Sequence, residues 1–303
     1  MRLCVCGIIL LSLASVGPMT TIANDQFEIE ILRDIEFAKV DEFSLKLDLY
    51  QPVGAASPPL MVWVHGGAWR AGSKDNMPLN ELVKRGFAIA SIDYRLSPVA
   101  KFPAQVHDCK AAIRFLRAKA RQYGYDASKT GIVGSSAGGH LAAEIGVTNG
   151  HSKLEGTVGK HLDQSSSVQA IVDYYGPTNF LTILKQSTPH GLSVRVPALQ
   201  LLLGSQPEEN AALAKLASPV FHVDKNDPPL LMIHGDYDPQ VPINQSHELH
   251  GCYKELGLTA RLEIIHGGAH GGPQFHNQAR IDLIDQFLKT HLREGNTGEK
   301  SSN

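Results

Sequence analysis

Ser136 is the centre of a short glycine-framed segment that could carry nucleophilic chemistry. The segment GSSAG at 134–138 follows the run TGIV at 130–133 and precedes a helix-like stretch, Ala137 to Ile145. A strand that turns at once into a helix strains the backbone at the corner, and small flanking residues let neighbouring chain approach closely. The pattern predicts a serine hydroxyl presented at the end of a sheet. Taken alone, the motif also fits an ordinary glycine-rich turn.

A second glycine-rich segment could stabilise an oxyanion. HGGAW at 65–69 follows the strand-like run LMVWV at 60–64. Acyl transfer places negative charge on a carbonyl oxygen, and backbone N–H groups left open by glycine are well suited to receive it. We predict that Gly66 and Gly67 donate such bonds together with the amide of Ala137. The alternative is a simple strand-to-loop turn.

Two later loops supply an acid and a base. The strand-like run 230–234 leads into GDYDPQVP at 235–242, and 262–266 leads into GGAHGG at 267–272. His270 is the predicted base and Asp238 the predicted acid. Asp236 is a competing acid, but Pro239 restricts the backbone of the residue before it, which favours Asp238. We expect Asp236 to bond loop amides instead.

These motifs together resemble one family. The chain is similar to the α/β-hydrolase esterases of the branch related to hormone-sensitive lipase, close to bacterial acetyl-xylan and feruloyl esterases, over about residues 27–292. The resemblance implies a Ser136–Asp238–His270 triad in the order known for that fold. Ala68 replaces a glycine usual in many of these lipases, and Gly272 stands where an aromatic often follows the histidine, which leaves the pocket shape open. The motifs that carry the resemblance are HGGAW, DYRLS at 93–97, GSSAGGHLAA at 134–143, YYGPT at 174–178, ASPV at 217–220, HGDYDPQVP and GGAHGG.

Alternating strand and helix patterns predict an α/β fold with a mostly parallel central sheet flanked by helices. The segment at about 176–227 is long for a connection, and we predict a small insertion that partly covers the active site. An ordinary crossover helix is the alternative. Trp69 and Phe180 are the substrate-pocket candidates, with Trp69 at the rim. The predicted strands are 27–37, 43–50, the run ending at Val64, 87–94, the run before Gly134, 168–175 and the runs before Gly235 and Gly267, and the clearest helices are about 104–123 and 275–292.

The chain ends carry a different type of sequence. Residues 1–23 have the three-part form of a secretory signal peptide, which predicts a secreted or periplasmic protein; a membrane anchor is the alternative. The hydrolase domain is predicted at 24–293, and the polar stretch 294–303 is predicted to be disordered. We expect Cys109 and Cys252 to stay unpaired.

Composition limits the partners. The chain has 303 residues, of which 43% are hydrophobic and 19% charged, with a net charge of −2. This size and composition fit one domain. The absence of a Lys/Arg block argues against a nucleic-acid or stable membrane partner. The fourteen histidines show no metal-ligand spacing such as HExxH, so we expect no metal and no cofactor. The oligomeric state is left open.

The leading hypothesis is a serine carboxylic-ester hydrolase that acts through an acyl-enzyme. Its substrate would be a small-molecule or polysaccharide-linked ester, of the acetyl or feruloyl type. Three alternatives stay open. An arylformamidase shares HGGxW, although export argues against it. A peptidase of the prolyl-oligopeptidase kind would bring a propeller domain. A silent binding protein would be expected to have lost Ser136, His270 or the acid.

Overall fold

The structure is a computed structural model that describes residues 26–293. The predicted signal peptide at 1–23 and the predicted tail at 294–303 lie outside the described residues. Eight strands form one sheet in this part of the chain: β1 (Ile29–Val40), β2 (Phe43–Pro52), β3 (Pro59–Val64), β4 (Ala88–Ile92), β5 (Asp126–Ser135), β6 (Ala170–Tyr174), β7 (Leu230–Gly235) and β8 (Ala260–Ile265).

The sheet is antiparallel at one edge and parallel elsewhere. Its strand order is β1-β2-β4-β3-β5-β6-β7-β8. The pairs β1–β2 and β2–β4 are antiparallel, and every pair from β4–β3 to β7–β8 is parallel. The predicted α/β fold with a mostly parallel sheet is therefore confirmed. In such a sheet the carboxyl ends of the parallel strands meet at one edge, where loops can converge.

The central strands are apolar because helices cover both of their faces. In β3 the side chains from Leu60 to Val64 are all buried, and β6 is buried along its whole length. In β2 the leucines occupy every second position, and Leu45, Leu47 and Leu49 are fully buried on one face. The core therefore lies on both sides of the sheet.

The helices pack around this sheet. The predicted helix at 104–123 is α2, and it ends where Gly124 adopts a left-handed conformation with φ of 79°. The last helix begins at Gln278, later than the predicted 275, because 273–275 form a 3-10 turn. Cys109 and Cys252 are both free thiols. The helices are α1 (Asn80–Lys84), α2 (Ala104–Tyr123), α3 (Ala137–Gly146), α4 (Ser152–Glu155), α5 (Ile183–Gln186), α6 (Pro189–Leu203), α7 (Ala211–Leu216), α8 (Asn244–Glu255) and α9 (Gln278–Arg293).

The segment between β6 and β7 contains three of these helices, α5, α6 and α7. Helix α6 is the longest of the three, and Thr188 caps it by accepting a hydrogen bond from the Gly191 amide at 3.0 Å. The Thr188 hydroxyl also donates to the carbonyl of Pro239 at 2.9 Å. This contact ties the start of α6 to the loop after β7, which is the loop that carries Asp238.

Candidate active site

Ser136 occupies the corner between β5 and α3. Its φ of 54° and ψ of −117° are rarely adopted by a residue with a side chain, and its amide donates to Tyr174 O at 2.8 Å. The flanking glycines are required by close backbone approach. A Cβ on Gly134 would lie 2.1 Å from Gly138 O, and one on Gly138 would lie 2.0 Å from Val64 O. The corner is therefore a tight, strained turn that presents the serine side chain.

Three predicted side chains meet at this corner. The Nε2 atom of His270 lies 2.8 Å from Ser136 Oγ, and its Nδ1 atom lies 2.6 Å from Asp238 Oδ2. An ionised carboxylate only accepts hydrogen bonds, so Nδ1 carries the proton and Nε2 is free to accept from the serine hydroxyl. The arrangement can deprotonate Ser136 as it attacks a carbonyl carbon.

Asp238 is held as a buried carboxylate. Its Oδ1 atom accepts from the amides of Gln240 and Val241 at 2.8 and 2.9 Å, and His234 Nε2 lies 3.2 Å from Oδ2. Burial would raise the pKa of Asp238, but hydrogen bonds from His234, His270 and the Val241 amide hold that pKa well below its usual range. Asp238 is therefore an anion at neutral pH. His234 is a partner that we did not single out from the sequence.

Asp236 makes different contacts. Its Oδ2 atom lies 2.8 Å from Nδ1 of His266, and its Oδ1 atom accepts from the Gly267 amide at 2.7 Å. These contacts link the loop after β7 to the loop after β8. The structure thus places Asp236 against a loop amide, and places Asp238 against the base.

The predicted oxyanion-hole residues surround the serine. Gly66 and Gly67 line the same cavity as Ser136, and their amides have no backbone acceptor within residues 26–293. A Cβ on Gly66 would lie 2.8 Å from Ser135 O and 3.4 Å from Ser136 Cβ, so this glycine lies directly beside the nucleophile. Ala137 is the first residue of α3, where backbone N–H groups have no partner within the helix. None of these three amides donates to a backbone oxygen within residues 26–293, as an oxyanion hole requires.

The cavity at this site has a volume of about 550 Å³. The loops after β3, β5, β6, β7 and β8 contribute to its wall, and the insertion between β6 and β7 adds Val194 and Arg195. Its lining residues are His65, Gly66, Gly67, Ala68, Arg70, Ala71, Asn76, Ser135, Ser136, Tyr175, Val194, Arg195, Gln240 and His270.

Trp69 and Phe180 are not part of this wall, which corrects the expectation that they form the substrate pocket. Trp69 is 0% exposed and Phe180 is 1% exposed. Trp69 Nε1 donates to His140 Nδ1 at 3.2 Å, and the Phe180 ring stacks on His140 with centroids 4.8 Å apart. Ala68 and Trp69 both have positive φ, 52° and 58°. The chain therefore turns sharply at these residues, and the large indole is buried in the core rather than at the rim.

Several cavity residues are not among those that we selected from the sequence. Arg70 directly follows HGGAW, Tyr175 lies in YYGPT, and Gln240 lies beside the acid, so proximity to motifs was an available signal. For Arg195 the available signal was its place in the long insertion, which we expected to contribute pocket walls.

Within residues 26–293, no group of three or more His, Cys, Asp and Glu side chains is arranged to hold a metal ion. No helix within residues 26–293 has both the length and the apolar character needed to cross a membrane.

The fold defines an α/β-hydrolase whose candidate nucleophile is Ser136, and comparison with known proteins gives the family. Residues 47–253 match the BD-FAE family model, so the chain belongs to the BD-FAE family. Membership confirms the predicted relation to the hormone-sensitive-lipase branch of esterases.

Solved structures agree with this assignment. A truncated carbohydrate esterase from gut microbiota superposes with a TM-score of 0.79 and 34% identity, covering 90% of this chain and 99% of the other. The propionate-bound esterase Est2 of Thermogutta terrifontis superposes with a TM-score of 0.69 and 27% identity, covering 88% of this chain and 95% of that chain. The matching domain is of the carboxylesterase class of hydrolases.

Sequence relatives point in the same direction. Esterase LipC of Mycobacterium tuberculosis is 30% identical over 234 residues, which are 75% of this chain and 54% of LipC. The arylesterase of Saccharolobus solfataricus is 26% identical over 85% of this chain and 82% of its own length. Our chain spans about half the length of LipC and of several other curated relatives that it matches.

Proposed function

We propose that this protein is an exported serine carboxylic-ester hydrolase that removes short acyl groups from small or carbohydrate-linked esters. The observation that carries the proposal is the continuous hydrogen-bonded chain from Ser136 through His270 to Asp238. The amides of Gly66 and Gly67 on the cavity wall, and that of Ala137 directly after the serine, support the same chemistry.

In the proposed reaction Ser136 Oγ attacks the ester carbonyl while His270 Nε2 takes its proton. Asp238 keeps the proton of the imidazole on Nδ1 and stabilises the imidazolium. The three backbone amides receive the charge on the carbonyl oxygen. His270 then returns the proton to the leaving alcohol, which leaves an acyl-enzyme on Ser136. Water, activated by the same histidine, hydrolyses it.

The openness of the cavity supports a short acyl group. Because the cavity opens to solvent, a long acyl chain would lie partly in water. Each unburied CH₂ then forgoes about 0.8 kcal/mol. The structures of the Thermogutta esterase hold propionate and butyrate, and that relative supports acyl groups of this length.

The alcohol half of the ester is proposed from the structurally similar proteins. The most extensive structural match described above is a carbohydrate esterase, and a second match is the bifunctional GH43-CE protein of Bacteroides eggerthii, at 34% identity over 90% of this chain. Acetylated polysaccharide is therefore the first substrate to test.

A substrate panel tests the proposal. Purified protein should hydrolyse p-nitrophenyl acetate and butyrate faster than p-nitrophenyl decanoate, and should release acetate from acetylated xylan. Methyl ferulate tests the feruloyl form of the proposal. If N-formylkynurenine is the fastest substrate, the protein is an arylformamidase and not an esterase. If proline-containing peptides are cleaved fastest, it is a peptidase. Activity on none of these esters would refute the proposal.

Export is proposed from the N-terminal sequence alone. Expressed with residues 1–23 in a bacterial host, the protein should be found outside the cytoplasm and should begin near Asn24. Retention in the cytoplasm with an intact Met1 would contradict export and leave the chemistry unaffected.

A further inference from the structure

Arg195 is a buried cation that makes no hydrogen bond or ion pair with the residues that the structure describes. The residue is 1% exposed, and its Nε and Nη1 atoms are buried without a hydrogen-bond acceptor within residues 26–293. Its guanidinium carbon lies 5.8 Å from the centre of the Trp69 ring, which is a weaker contact than an ion pair. A buried charge normally has an opposite charge beside it. No carboxylate of the described residues makes such a contact with Arg195.

Arg195 lies on the wall of the catalytic cavity, together with Ser136 and His270. Burial lowers the pKa of Arg195 to about 10, against the opposing effect of the Asp238 charge, so the guanidinium stays positive at neutral pH. Asp238 cannot act as its partner, because that carboxylate is occupied by His270, His234 and two backbone amides.

The rest of the cavity wall strengthens this positive charge. Arg70, which is exposed, lines the same cavity and its charge acts on that of Arg195. None of the described residues that line the cavity is Asp or Glu. A cavity with two arginines and no acid stands out in a chain whose net charge is −2.

The position of Arg195 is fixed relative to the triad. Thr188, Gly191 and Arg195 are spaced by three and four residues, so they follow one face of α6. Thr188 bonds the carbonyl of Pro239, and a Cβ on Gly191 would lie only 3.0 Å from the same oxygen. The face that carries Arg195 is thus packed against the loop that carries Asp238, which makes the guanidinium a preorganised donor.

We propose that the cavity prefers esters that carry a carboxylate, which Arg195 binds while Arg70 attracts it at the entrance. This inference rests on the proposed ester hydrolysis. A planar guanidinium with free N–H groups matches a carboxylate in geometry and charge. The carboxylate belongs either to the acyl half, as in a hemiester of a dicarboxylic acid, or to the alcohol half, as in an acetylated uronic acid.

Matched substrate pairs test both sources. For the acyl half the pair is the p-nitrophenyl hemiester of glutaric acid and p-nitrophenyl pentanoate, which have equal chain length. For the alcohol half the pair is O-acetylated methyl glucuronide and O-acetylated methyl glucoside. In wild-type protein the charged member of one pair should have the higher kcat/KM. The pair that shows it identifies the source.

Arg195→Gln is the decisive variant, and Arg121→Gln is its control. Arg121 is exposed near the end of α2 and does not line the cavity, but its replacement changes the net charge by the same amount. Arg195→Gln should lower the ratio of charged to neutral kcat/KM by about 10- to 100-fold, chiefly through KM, as expected for a lost charge-assisted hydrogen bond. Arg121→Gln should keep the ratio. An unchanged ratio in folded Arg195→Gln overturns the inference.

Glutarate binding to the wild-type protein tests the same inference and does not depend on whether any variant folds. Glutarate should inhibit hydrolysis of p-nitrophenyl acetate competitively, and calorimetry should detect its binding; high salt should weaken both. Hydrolysis of neutral esters without glutarate binding and without preference for a charged substrate would overturn the carboxylate inference and leave the proposed function standing. Failure to hydrolyse any ester would instead refute the proposed function, and glutarate binding would still report on the Arg195 site.

Discussion

Asp236 is paired with His266, at 2.8 Å between Oδ2 and Nδ1, and not with the histidine that faces the nucleophile. Two acids thus lie two residues apart on one loop, and each holds a different histidine of the neighbouring loop. The pairing of Asp236 links two loops at the surface, whereas Asp238 is buried against His270. The pair of acids therefore offers an internal control for the catalytic assignment.

Asp238→Asn should lower kcat by about 10² to 10⁴, because the imidazole loses the anion that fixes its tautomer and offsets its charge. Asp236→Asn should keep kcat within a few-fold and lower the melting temperature slightly, since it weakens only the contact with His266. Steady-state kinetics and thermal melts of both proteins check this. Near-normal kcat in Asp238→Asn with collapse in Asp236→Asn would reverse the assignment.

Ser136→Ala should reduce ester hydrolysis by a factor on the order of 10³ or more and leave the melting temperature close to that of the wild type. The fold is retained because the side chain loses only its hydroxyl. A phosphonate should label Ser136, as read by mass spectrometry. Ser135→Ala is the matched control, and it should still be labelled. Label on Ser135 would show that the nucleophile has been misassigned.

Gly138→Ala should destabilise the protein by about 4 kcal/mol or more, because the added Cβ would lie 2.0 Å from the backbone oxygen of Val64. Gly251→Ala is the matched control. Gly251 also lies in a helix, α8, but nothing stands within 4 Å of its added Cβ, so alanine should stabilise by about 0.5 to 1 kcal/mol. Urea unfolding measures the change in the free energy of unfolding for each variant. Equal changes in the two variants would show that the corner between β5 and α3 is not close-packed.

His140 predicts a dependence of stability on pH. Burial lowers the pKa of His140 to about 4 from an unfolded value of 6.5, so the unfolded chain binds the proton more readily. The contribution of His140 is fully present above pH 6.5 and is lost as the pH falls from 6.5 towards 4. The loss is about 3 kcal/mol at most. His140→Gln should remove this part of the pH dependence.

The measurement is the free energy of unfolding in urea at pH 7 and at pH 4.5, for wild type and variant. The difference between the two proteins isolates His140 from the other titrating groups. A wild-type protein that loses no more stability than His140→Gln between these pH values would show that His140 is not held neutral.

The sheet and the positions of the triad loops could be predicted from the sequence because both follow from local patterns. Buried parallel strands read as apolar runs, and their carboxyl ends share one edge. The loops that hold Ser136, Asp238 and His270 directly follow such runs. Their place on one edge is therefore a consequence of strand direction.

The pocket wall could not be predicted in this way. The direction of the Trp69 side chain depends on positive φ at Ala68 and Trp69, two residue types that seldom adopt it. The place of Arg195 depends on the contact between Thr188 and Pro239, which are 51 residues apart in the chain. Long-range contacts of this kind leave no periodic pattern in the sequence.

The insertion between β6 and β7 contributes to the substrate cavity without supplying any of the reacting groups. The reacting groups are fixed by loops that follow the strands, whereas Val194 and Arg195 reach the cavity from α6, which rests on the acid loop through Thr188 and Gly191. Substitutions at the cavity-facing positions of α6 leave the contacts of Thr188 and Gly191 with the acid loop in place. Substitutions in this one helix can therefore change which substrates fit the cavity, while Ser136, His270 and Asp238 keep their positions.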